Sequence, residues 1–235
     1  MPSESVTAVI TCMTEPELPF LREAVLSVKG QTQPCRMRLY VPEDETSVEA
    51  VLGSAADGIE IRRVPLRPPG IVRNAAVDEV ETEWVAFLDG DDVWLPRKVE
   101  TQLAYAHQHD RIALGARHLL VREDGKPFFY GFAREMPMPS SWLIRRELLL
   151  EERFSDRLVF EDAELWQRFR GRTTPVTLKE HLIHYRVRRV SLSTPGSFEK
   201  RRKYVFARMS RFPAARGILL AASRAGALLP GRRST

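Results

Sequence analysis

Strand and helix patterns alternate along the first half of the chain, and this alternation limits its fold more than any other sequence feature. Short apolar, β-branched runs are separated by stretches in which apolar residues recur at helical spacing. Such units predict a mostly parallel sheet covered by helices on both faces, with any ligand at the carboxyl ends of the strands. The predicted strands are 6–11, 37–41, 59–64 and 84–88, and the predicted helices are 21–30, one opened by a capping box at Thr46 and Glu49, 71–80 and 96–108.

The pattern changes after residue 110, where the regular alternation stops. A hairpin is predicted first, and a loop, two helices and a last strand region follow it. We expect this half to be a smaller, mixed part of the same fold. Its predicted strands are 113–121, 126–132 and 176–187, its loop is 137–141, and its helices are 141–152 and 161–169.

The composition favours one sizeable core and excludes several classes of protein. The chain has 235 residues, of which 43% are hydrophobic. Two cysteines and five histidines are too few for a disulfide framework or a thiol-rich metal site. No apolar run approaches the roughly 18 residues that span a bilayer, and the first residues do not resemble a signal peptide, so we expect a cytoplasmic protein.

Basic residues are concentrated at the end of the chain. The net charge is +5, yet residues 198–235 hold ten basic residues and one acidic residue, which leaves the rest slightly acidic. An acidic body is a poor surface for nucleic acid, and we expect no nucleic-acid partner. We expect one domain at 1–197, with halves at 1–110 and 111–197, and a basic helical tail at 198–235.

The predicted tail interleaves its cations with apolar residues. This pattern is typical of amphipathic helices that lie on anionic lipid, here at the inner face of the plasma membrane. A helix packed on the body or a contact in a homodimer accounts for the same pattern equally well.

Three carboxylates follow the predicted strand 84–88 within four residues, in the segment FLDGDDVW. Asp89, Asp91 and Asp92 come where a parallel sheet binds its ligands. Their hard oxygen atoms suit Mg²⁺ or Mn²⁺, which bind through one or two carboxylates and the phosphates of a substrate. The alternative is a turn in which Asp-Gly reverses the chain and Asp92 caps the next helix, but a turn accounts for one aspartate better than for three.

Two further places carry charges that could serve chemistry. Glu161 and Asp162 open the predicted helix 161–169, where acidic residues favour the positive end of a helix whatever their function. Beside a metal-bound diphosphate, Asp162 is also a candidate general base for a hydroxyl group. Arg73 could bind phosphate or a base edge with its planar fork of donors, or it could be a solvated helix residue.

A longer series of motifs runs in a fixed order through residues 6–193. The segments are VITCMT at 9–14, LREA at 21–24 with SV at 27–28 and QT at 31–32, EDET at 43–46, RNA at 73–75, FLDGDDVW at 87–94, ED at 161–162 with LW at 165–166, and YRVR at 185–188 with SLS at 191–193. In order and spacing they resemble glycosyltransferase family 2, the inverting nucleotide-sugar enzymes with the GT-A fold. So long a colinear set is more specific than any single motif.

The resemblance implies a Rossmann-like GT-A fold and a role for each matching residue. It implies that Asp91 ligates a divalent metal, Mn²⁺ or Mg²⁺, with Asp89 and Asp92 completing that site, and that Asp89 contacts the donor ribose. It implies Asp162 as the catalytic base. The implied donor contacts are Met13, Glu43, Asp44, Arg73, Asp89 and Arg188, and the implied acceptor contacts are Ser140, Ser141, Glu161 and Trp166. For the two serines, a plain loop with no ligand accounts for the sequence equally well.

Three positions depart from the family pattern. Met13 stands where an aromatic side chain usually stacks on the nucleobase, so stacking is expected to be weaker or to come from elsewhere. Glu43 and Asp44 replace a pair of aspartates, which leaves the identity of the base open. Arg188 replaces a histidine that could contact metal or phosphate; an arginine cannot ligate a metal but can bind a diphosphate.

Together the residues and the resemblance predict an inverting, metal-dependent glycosyltransferase. It is expected to move one sugar from a nucleoside-diphosphate sugar, with UDP as the expected nucleotide, to a saccharide or lipid-linked glycan. The expected context is bacterial cell-surface polysaccharide or glycoconjugate synthesis. A sugar nucleotidyltransferase is less favoured, because no glycine-rich phosphate loop follows residues 6–11. A non-catalytic module that binds nucleotide sugars or a partner stays open.

Overall fold

In the computed structural model, strands and helices follow one another much as the sequence predicts. The structure describes residues 6–131, 136–158 and 160–188. These residues form nine strands and six α-helices, and no helix among them is both long and apolar enough to cross a membrane. The predicted tail at 198–235 lies outside the described residues. The strands are β1 (Val6–Thr11), β2 (Arg36–Pro42), β3 (Glu60–Val64), β4 (Trp84–Asp89), β5 (Val93–Trp94), β6 (Ala113–Val121), β7 (Pro127–Gly131), β8 (Leu143–Arg145) and β9 (Val176–Arg186). The helices are α1 (Leu18–Lys29), α2 (Val48–Leu52), α3 (Pro69–Glu79), α4 (Lys98–His109), α5 (Arg146–Glu151) and α6 (Glu161–Phe169).

The described strands join one sheet in the order β3-β2-β1-β4-β8-β6-β9-β5, with β7 beside β6. β1 pairs in parallel with β2 and β4, and β2 pairs in parallel with β3, so the carboxyl ends of these four strands lie along one edge. In the second half, β6 and β9 are parallel and the other pairs are antiparallel. The predicted α/β class, a parallel sheet followed by a smaller mixed half, is confirmed.

The sheet curls, and the curl brings distant parts of the chain together. β5 follows β4 after the turn at 90–92, yet it pairs with β9 at the far end of the strand order. Because β5 pairs with β9, the end of β9 lies beside the turn at 90–92. Contacts between the turn and residues 186–188 depend on that closure.

Alternate residues of the central strands fill two cores, one on each face of the sheet. In β1, Ala8 and Ile10 belong to the core that contains Leu21 of α1, whereas Val9 belongs to the core that contains Trp142. This follows from the two-residue period of a strand, which sends successive side chains to opposite faces. Helices on both faces cover the sheet and leave its carboxyl edge for the site.

The structure corrects the predicted helix 141–152. Residues 143–145 form β8, which pairs with β4 and β6, and only 146–151 are helical. The apolar run there is consistent with a helix or with a strand. Leu143 and Ile144 are fully buried against the neighbouring strands, and this packing favours the strand.

The helix predicted from a capping box at Thr46 is also corrected. It begins at Val48 with Ser47 at its N-cap. The Oε1 of Glu45 accepts a hydrogen bond from the backbone N–H of Ser47 at 2.7 Å, so the residues before the helix form a local turn rather than the predicted box. The strand β5 was not predicted, since two residues are too few to show a period.

Candidate functional site

The turn between β4 and β5 is fixed to the end of β1 at the carboxyl edge of the sheet. Asp89 pairs with Thr11, whose Oγ1 donates to Oδ1 of Asp89 at 3.3 Å. The N–H of Gly90 donates to the carbonyl oxygen of Thr11 at 2.8 Å. Gly90 leaves no room for a side chain, because a Cβ there would lie 2.8 Å from the Cβ of Cys12. The backbone that carries the predicted donor carboxylates is therefore closely held.

Arg73 of α3 joins Asp89 to the start of α6. Its Nη2 lies 2.6 Å from Oδ1 of Asp89, and its Nη1 lies 3.1 Å from Oε1 of Glu161. Helix α3 can pack closely against the segment that contains Ser155 because residue 70 is glycine. A Cβ at Gly70 would lie 2.7 Å from the carbonyl oxygen of Ser155. Arg73 is predicted to touch the base or phosphates, but its side chain is only 4% exposed and enclosed by two carboxylates. It can act on a ligand through Asp89.

Asp162 lies in the first turn of α6, beside Glu161. It is partly buried, and its Oδ1 accepts the N–H of the next residue at 2.7 Å. Phe160 precedes the helix with a φ of 67°, a left-handed backbone that side-chain-bearing residues rarely adopt and that occurs often at functional sites. Because Glu161 is bound to Arg73, α6 begins beside the end of β4, and the predicted base and donor carboxylate belong to one region.

Asp91, in the turn, faces an arginine and a second carboxylate. The Nε of Arg188 lies 2.5 Å from Oδ2 of Asp91, and its Nη2 lies 3.5 Å from Oε1 of Glu17. The Oε2 of Glu17 accepts the N–H of Met13 at 2.8 Å, which shapes the loop after β1. Burial, together with the charges of Asp91 and Asp89, raises the pKa of Glu17 to about 7. Two carboxyl groups, those of Asp91 and Glu17, therefore share one guanidinium in this pocket.

Asp92 is fully buried and fixes the end of β9. Its Oδ1 accepts the backbone N–H of Arg186 at 2.9 Å, and the Nε of Arg186 donates to the carbonyl oxygen of Asp91 at 2.9 Å. Burial raises the pKa of Asp92 well above its ordinary value, and the charges of Asp91 and Asp89 add to this. The three aspartates do not converge: in the described part of the chain, no group of three or more His, Cys, Asp and Glu side chains is arranged to hold a metal.

Asp91 and Glu17 are nevertheless two carboxylates that could contribute ligands to a divalent metal. Both carboxylates already face one cation, the guanidinium of Arg188, and their oxygen atoms are the hard donors that Mg²⁺ and Mn²⁺ prefer. These metals usually bind one or two carboxylates and complete their shell with water and substrate phosphates. Two protein carboxylates would leave the remaining positions of such a metal to water and a diphosphate.

The other predicted donor residues differ in exposure. Glu43 and Asp44 are exposed and follow β2, which is the neighbour of β1 at the carboxyl edge. Met13 is 6% exposed and packs in the core with Val9 and Val72. The acidic pair is accessible to a ligand, whereas Met13 offers little surface for stacking.

The predicted acceptor residues lie inside the protein. Ser140, Ser141 and Trp166 are at most 1% exposed. The Oγ of Ser140 accepts the backbone N–H of Asp89 at 3.1 Å, which ties the acceptor-side segment to the end of β4. Trp166 packs on Trp142 with ring centroids 5.2 Å apart. Glu161, also predicted, is the partner of Arg73 described above.

Three consecutive carbonyl groups, those of residues 140, 141 and 142, are held by side chains spaced four residues apart. The Nε1 of Trp94 donates to the carbonyl oxygen of Ser140 at 2.8 Å, the Nζ of Lys98 to that of Trp142 at 3.1 Å, and the Nε2 of Gln102 to that of Ser141 at 2.8 Å. Lys98 is fully buried, with Nζ 4.0 Å from the centroid of the Trp94 ring, and burial lowers its pKa to about 7. These hydrogen bonds were not predicted from the sequence; the available signal was the pair of polar residues on the buried side of α4, Lys98 and Gln102.

Comparisons with known proteins identify a family and a common fold for the chain. The family model described as glycosyl transferase family 2 matches residues 7–160. S. aureus TarS 1-349 in complex with UDP matches with a TM-score of 0.64 and 15% identity, over 83% of this chain and 62% of that one. The same protein in complex with UDP-GlcNAc gives 0.67 and 14%, over 82% and 64%. This chain thus spans somewhat less than two thirds of those TarS structures.

A third structure comes from another organism. The mannosyltransferase PcManGT from Pyrobaculum calidifontis, in complex with GDP-Man and Mn²⁺, has a TM-score of 0.63 and 11% identity, over 95% of this chain and 81% of that one. No curated protein matches the chain. At such identities the structures show a common GT-A fold, and the family model, which covers more than half of the sequence, shows the relationship. The chain belongs to glycosyltransferase family 2.

Proposed function

We propose that the protein transfers one sugar from a nucleoside-diphosphate sugar to an acceptor hydroxyl with inversion at the anomeric carbon. The observation that carries this proposal is the ion-pair series Asp89–Arg73–Glu161, with distances of 2.6 and 3.1 Å. It links the strand end where a nucleotide would bind to the helix that begins with Asp162. One region then has a donor carboxylate and a candidate base, as an inverting displacement needs.

On the donor side, Asp89 would contact the ribose, and Asp91 would hold the metal with Glu17 beside it. The exposed pair Glu43 and Asp44 would accept hydrogen bonds from the nucleobase. UDP is the nucleotide we propose, supported by the exposed acidic pair and by the UDP and UDP-GlcNAc complexes of TarS; the GDP-Man complex of PcManGT makes GDP the alternative to test. Arg188 would bind the diphosphate.

In the proposed reaction, Asp162 accepts the proton of the acceptor hydroxyl as its oxygen attacks the anomeric carbon. The bond to the nucleoside diphosphate breaks on the opposite face, which inverts the configuration. The guanidinium of Arg188 would stabilise the charge that develops on the diphosphate. A divalent metal, when bound, would neutralise part of that charge as a Lewis acid.

The residues implied for the acceptor would act from inside the protein. Ser140, Ser141 and Trp166 are buried, so we propose that they shape the acceptor side rather than touch the sugar. Glu161 would set the start of α6 and so the position of Asp162. A saccharide or a lipid-linked glycan is the proposed acceptor, in the synthesis of bacterial cell-surface glycans.

A membrane role of the basic segment 198–235 remains part of the proposal. Its ten basic residues and interleaved apolar residues support binding to anionic lipid at the cytoplasmic face, with residues 1–197 as the catalytic domain. Co-sedimentation of the full chain with vesicles containing phosphatidylglycerol, at physiological salt, tests it. Binding that is absent, or equal for neutral vesicles, would contradict it.

The enzymatic proposal can be tested without knowing the acceptor, because water can take its place. The protein is incubated with UDP-GlcNAc, UDP-Glc, UDP-Gal or GDP-Man and Mn²⁺, and the released sugar is observed by proton NMR before it mutarotates. From these α-linked donors we expect the β anomer first. The α anomer first would contradict inversion, and donors that both stay intact and fail to bind the protein in the presence of Mn²⁺ would contradict the activity.

A further inference from the structure

The position expected for a metal at Asp91 is filled by a side chain of the protein itself. The Nε of Arg188 is 2.5 Å from Oδ2 of Asp91, and its Nη2 is 3.5 Å from Oε1 of Glu17. The side chains of Arg188, Asp91 and Glu17 are only 7%, 10% and 10% exposed. Separating a pair so shielded from water leaves a buried charge without its partner, so a metal that takes this oxygen of Asp91 must compete with Arg188 for it.

Arg188 also keeps an unused donor. Its Nη1 is buried and has no hydrogen-bond partner among the described residues. An unsatisfied buried donor is costly, and a guanidinium is well matched to phosphate oxygens, which accept two of its N–H groups at once. A diphosphate bound beside Arg188 would accept a hydrogen bond from Nη1, whereas a bare metal ion has no atom that could accept one.

We propose that Arg188 is the resident cation of the Asp91–Glu17 pocket and that the nucleotide diphosphate draws it away, so that Asp91 becomes free for the metal. The inference rests on the proposed donor site and adds an order of binding to it. Metal alone must compete with Arg188, whereas metal with nucleotide need not. By linkage, the nucleotide raises the affinity for metal by the same factor as the metal raises the affinity for nucleotide.

The test measures Mn²⁺ binding to the full-length protein through the electron paramagnetic resonance signal of free Mn²⁺, first with no nucleotide. Arg188→Gln removes the charge and the two terminal nitrogen atoms of the guanidinium while leaving a polar side chain. We expect it to bind Mn²⁺ alone about tenfold more tightly than the wild type, within the usual range of coupling between sites. The double variant Arg188→Gln, Asp91→Asn should lose this gain. Arg97→Ala, at the exposed N-cap residue of α4, is the control and should leave the affinity unchanged.

The second arm measures UDP and GDP binding by calorimetry in the presence of EDTA. Arg188→Gln should weaken binding of the preferred nucleotide about tenfold, while Arg188→Lys, which keeps the charge without the fork, should weaken it less. Opposite effects on metal and nucleotide would support the proposal. Equal or weaker Mn²⁺ binding by a folded Arg188→Gln protein would overturn it. If the wild type binds neither nucleotide even with Mn²⁺, the proposed donor site fails, while the Mn²⁺ arm still decides whether Arg188 competes with metal.

Discussion

Arg73 donates to Asp89 across 2.6 Å from a position that is almost closed to solvent. The same guanidinium binds Glu161, so one arginine fixes both the carboxylate at the end of β4 and the helix that carries Asp162. In sequence these three residues are far apart. The segments that contain them, Arg-Asn-Ala at 73–75, FLDGDD at 87–92 and Glu-Asp at 161–162, look like separate motifs. The ion pairs make them parts of a single site.

We expect Arg73→Met to destabilise the fold by about 3 kcal/mol, because it leaves Asp89 and Glu161 without their shared partner in a poorly hydrated place. Urea unfolding measures the change. The exposed Arg97→Ala serves as the control and should change the free energy of unfolding by less than about 0.5 kcal/mol. An Arg73→Met protein as stable as the control would show that the ion pairs do not hold the site.

Asp162→Asn should lower the turnover of the nucleotide sugar by about 10² or more, since the amide cannot accept the proton of the acceptor. Nucleotide affinity should stay within about twofold, as the residue is assigned to the acceptor rather than to the donor. Rates of nucleoside diphosphate release and calorimetric titration separate the two effects. Glu164→Gln, two residues after Asp162 in α6, is the matched control. A similar loss of turnover in that variant would argue against Asp162 as the base.

Lys98 makes stability depend on pH in a direction that its environment fixes. Burial lowers the pKa of Lys98 to about 7 in the folded protein, with Cys35 acting weakly the other way, while the unfolded chain keeps the ordinary value near 10.4. Between these values the unfolded chain binds a proton that the folded chain does not. Lys98 therefore contributes a rise in the free energy of unfolding from pH 7 upward, with a slope approaching about 1.4 kcal/mol per pH unit.

Urea unfolding of the wild type and of Lys98→Met at pH 7, 8 and 9 isolates this contribution. The wild type should gain about 2 kcal/mol relative to the variant over that interval, because methionine does not titrate. Other groups that titrate in this range affect both proteins alike and cancel in the difference. A constant difference between the two proteins would mean that Lys98 keeps an ordinary pKa.

Gly90→Ala should weaken nucleotide binding and destabilise the protein by about 1–3 kcal/mol, because the added Cβ would lie 2.8 Å from the Cβ of Cys12. The displaced backbone is the turn that carries Asp89 and Asp91. Adding Cys12→Gly makes room and should restore part of the nucleotide affinity. Thermal unfolding and calorimetry on the single and double variants follow both effects, and full affinity in Gly90→Ala alone would contradict the close fit.

Local patterns were enough for most of the fold. Strands 6–11 and 113–121 and helix 161–169 were predicted with the bounds that the structure has, since each has a clear period or a charged start. The region 141–152 was mistaken for one helix because its apolar run suits both structures. Pairing of β8 with β4 and β6 decides it, and sequence periodicity carries no information on such pairing.

The candidate site, like the fold, was predicted only in part from local sequence patterns. Asp89, Asp91, Asp92 and Asp162 stand in recognisable motifs. Glu17, in contrast, ends a short 3-10 helix with no motif of its own and reaches Arg188 only because the sheet curls. The enclosure of Arg73 and the burial of Met13 and Ser140 were equally out of reach, as they depend on how α3, α6 and the segment around residue 140 pack. Sequence indicated which residues carry charge, and tertiary contacts determine which of them can meet a ligand.

The measurement that tests the central claim most directly is calorimetric titration of the protein with UDP, GDP, UDP-GlcNAc and GDP-Man, with and without Mn²⁺, beside the variant Asp91→Asn. We predict that one nucleotide series binds selectively, more tightly with Mn²⁺, and that Asp91→Asn loses the effect of the metal. Binding of none of these ligands by the folded wild type in the presence of Mn²⁺ would contradict the assignment of a nucleotide-sugar site at the end of β4.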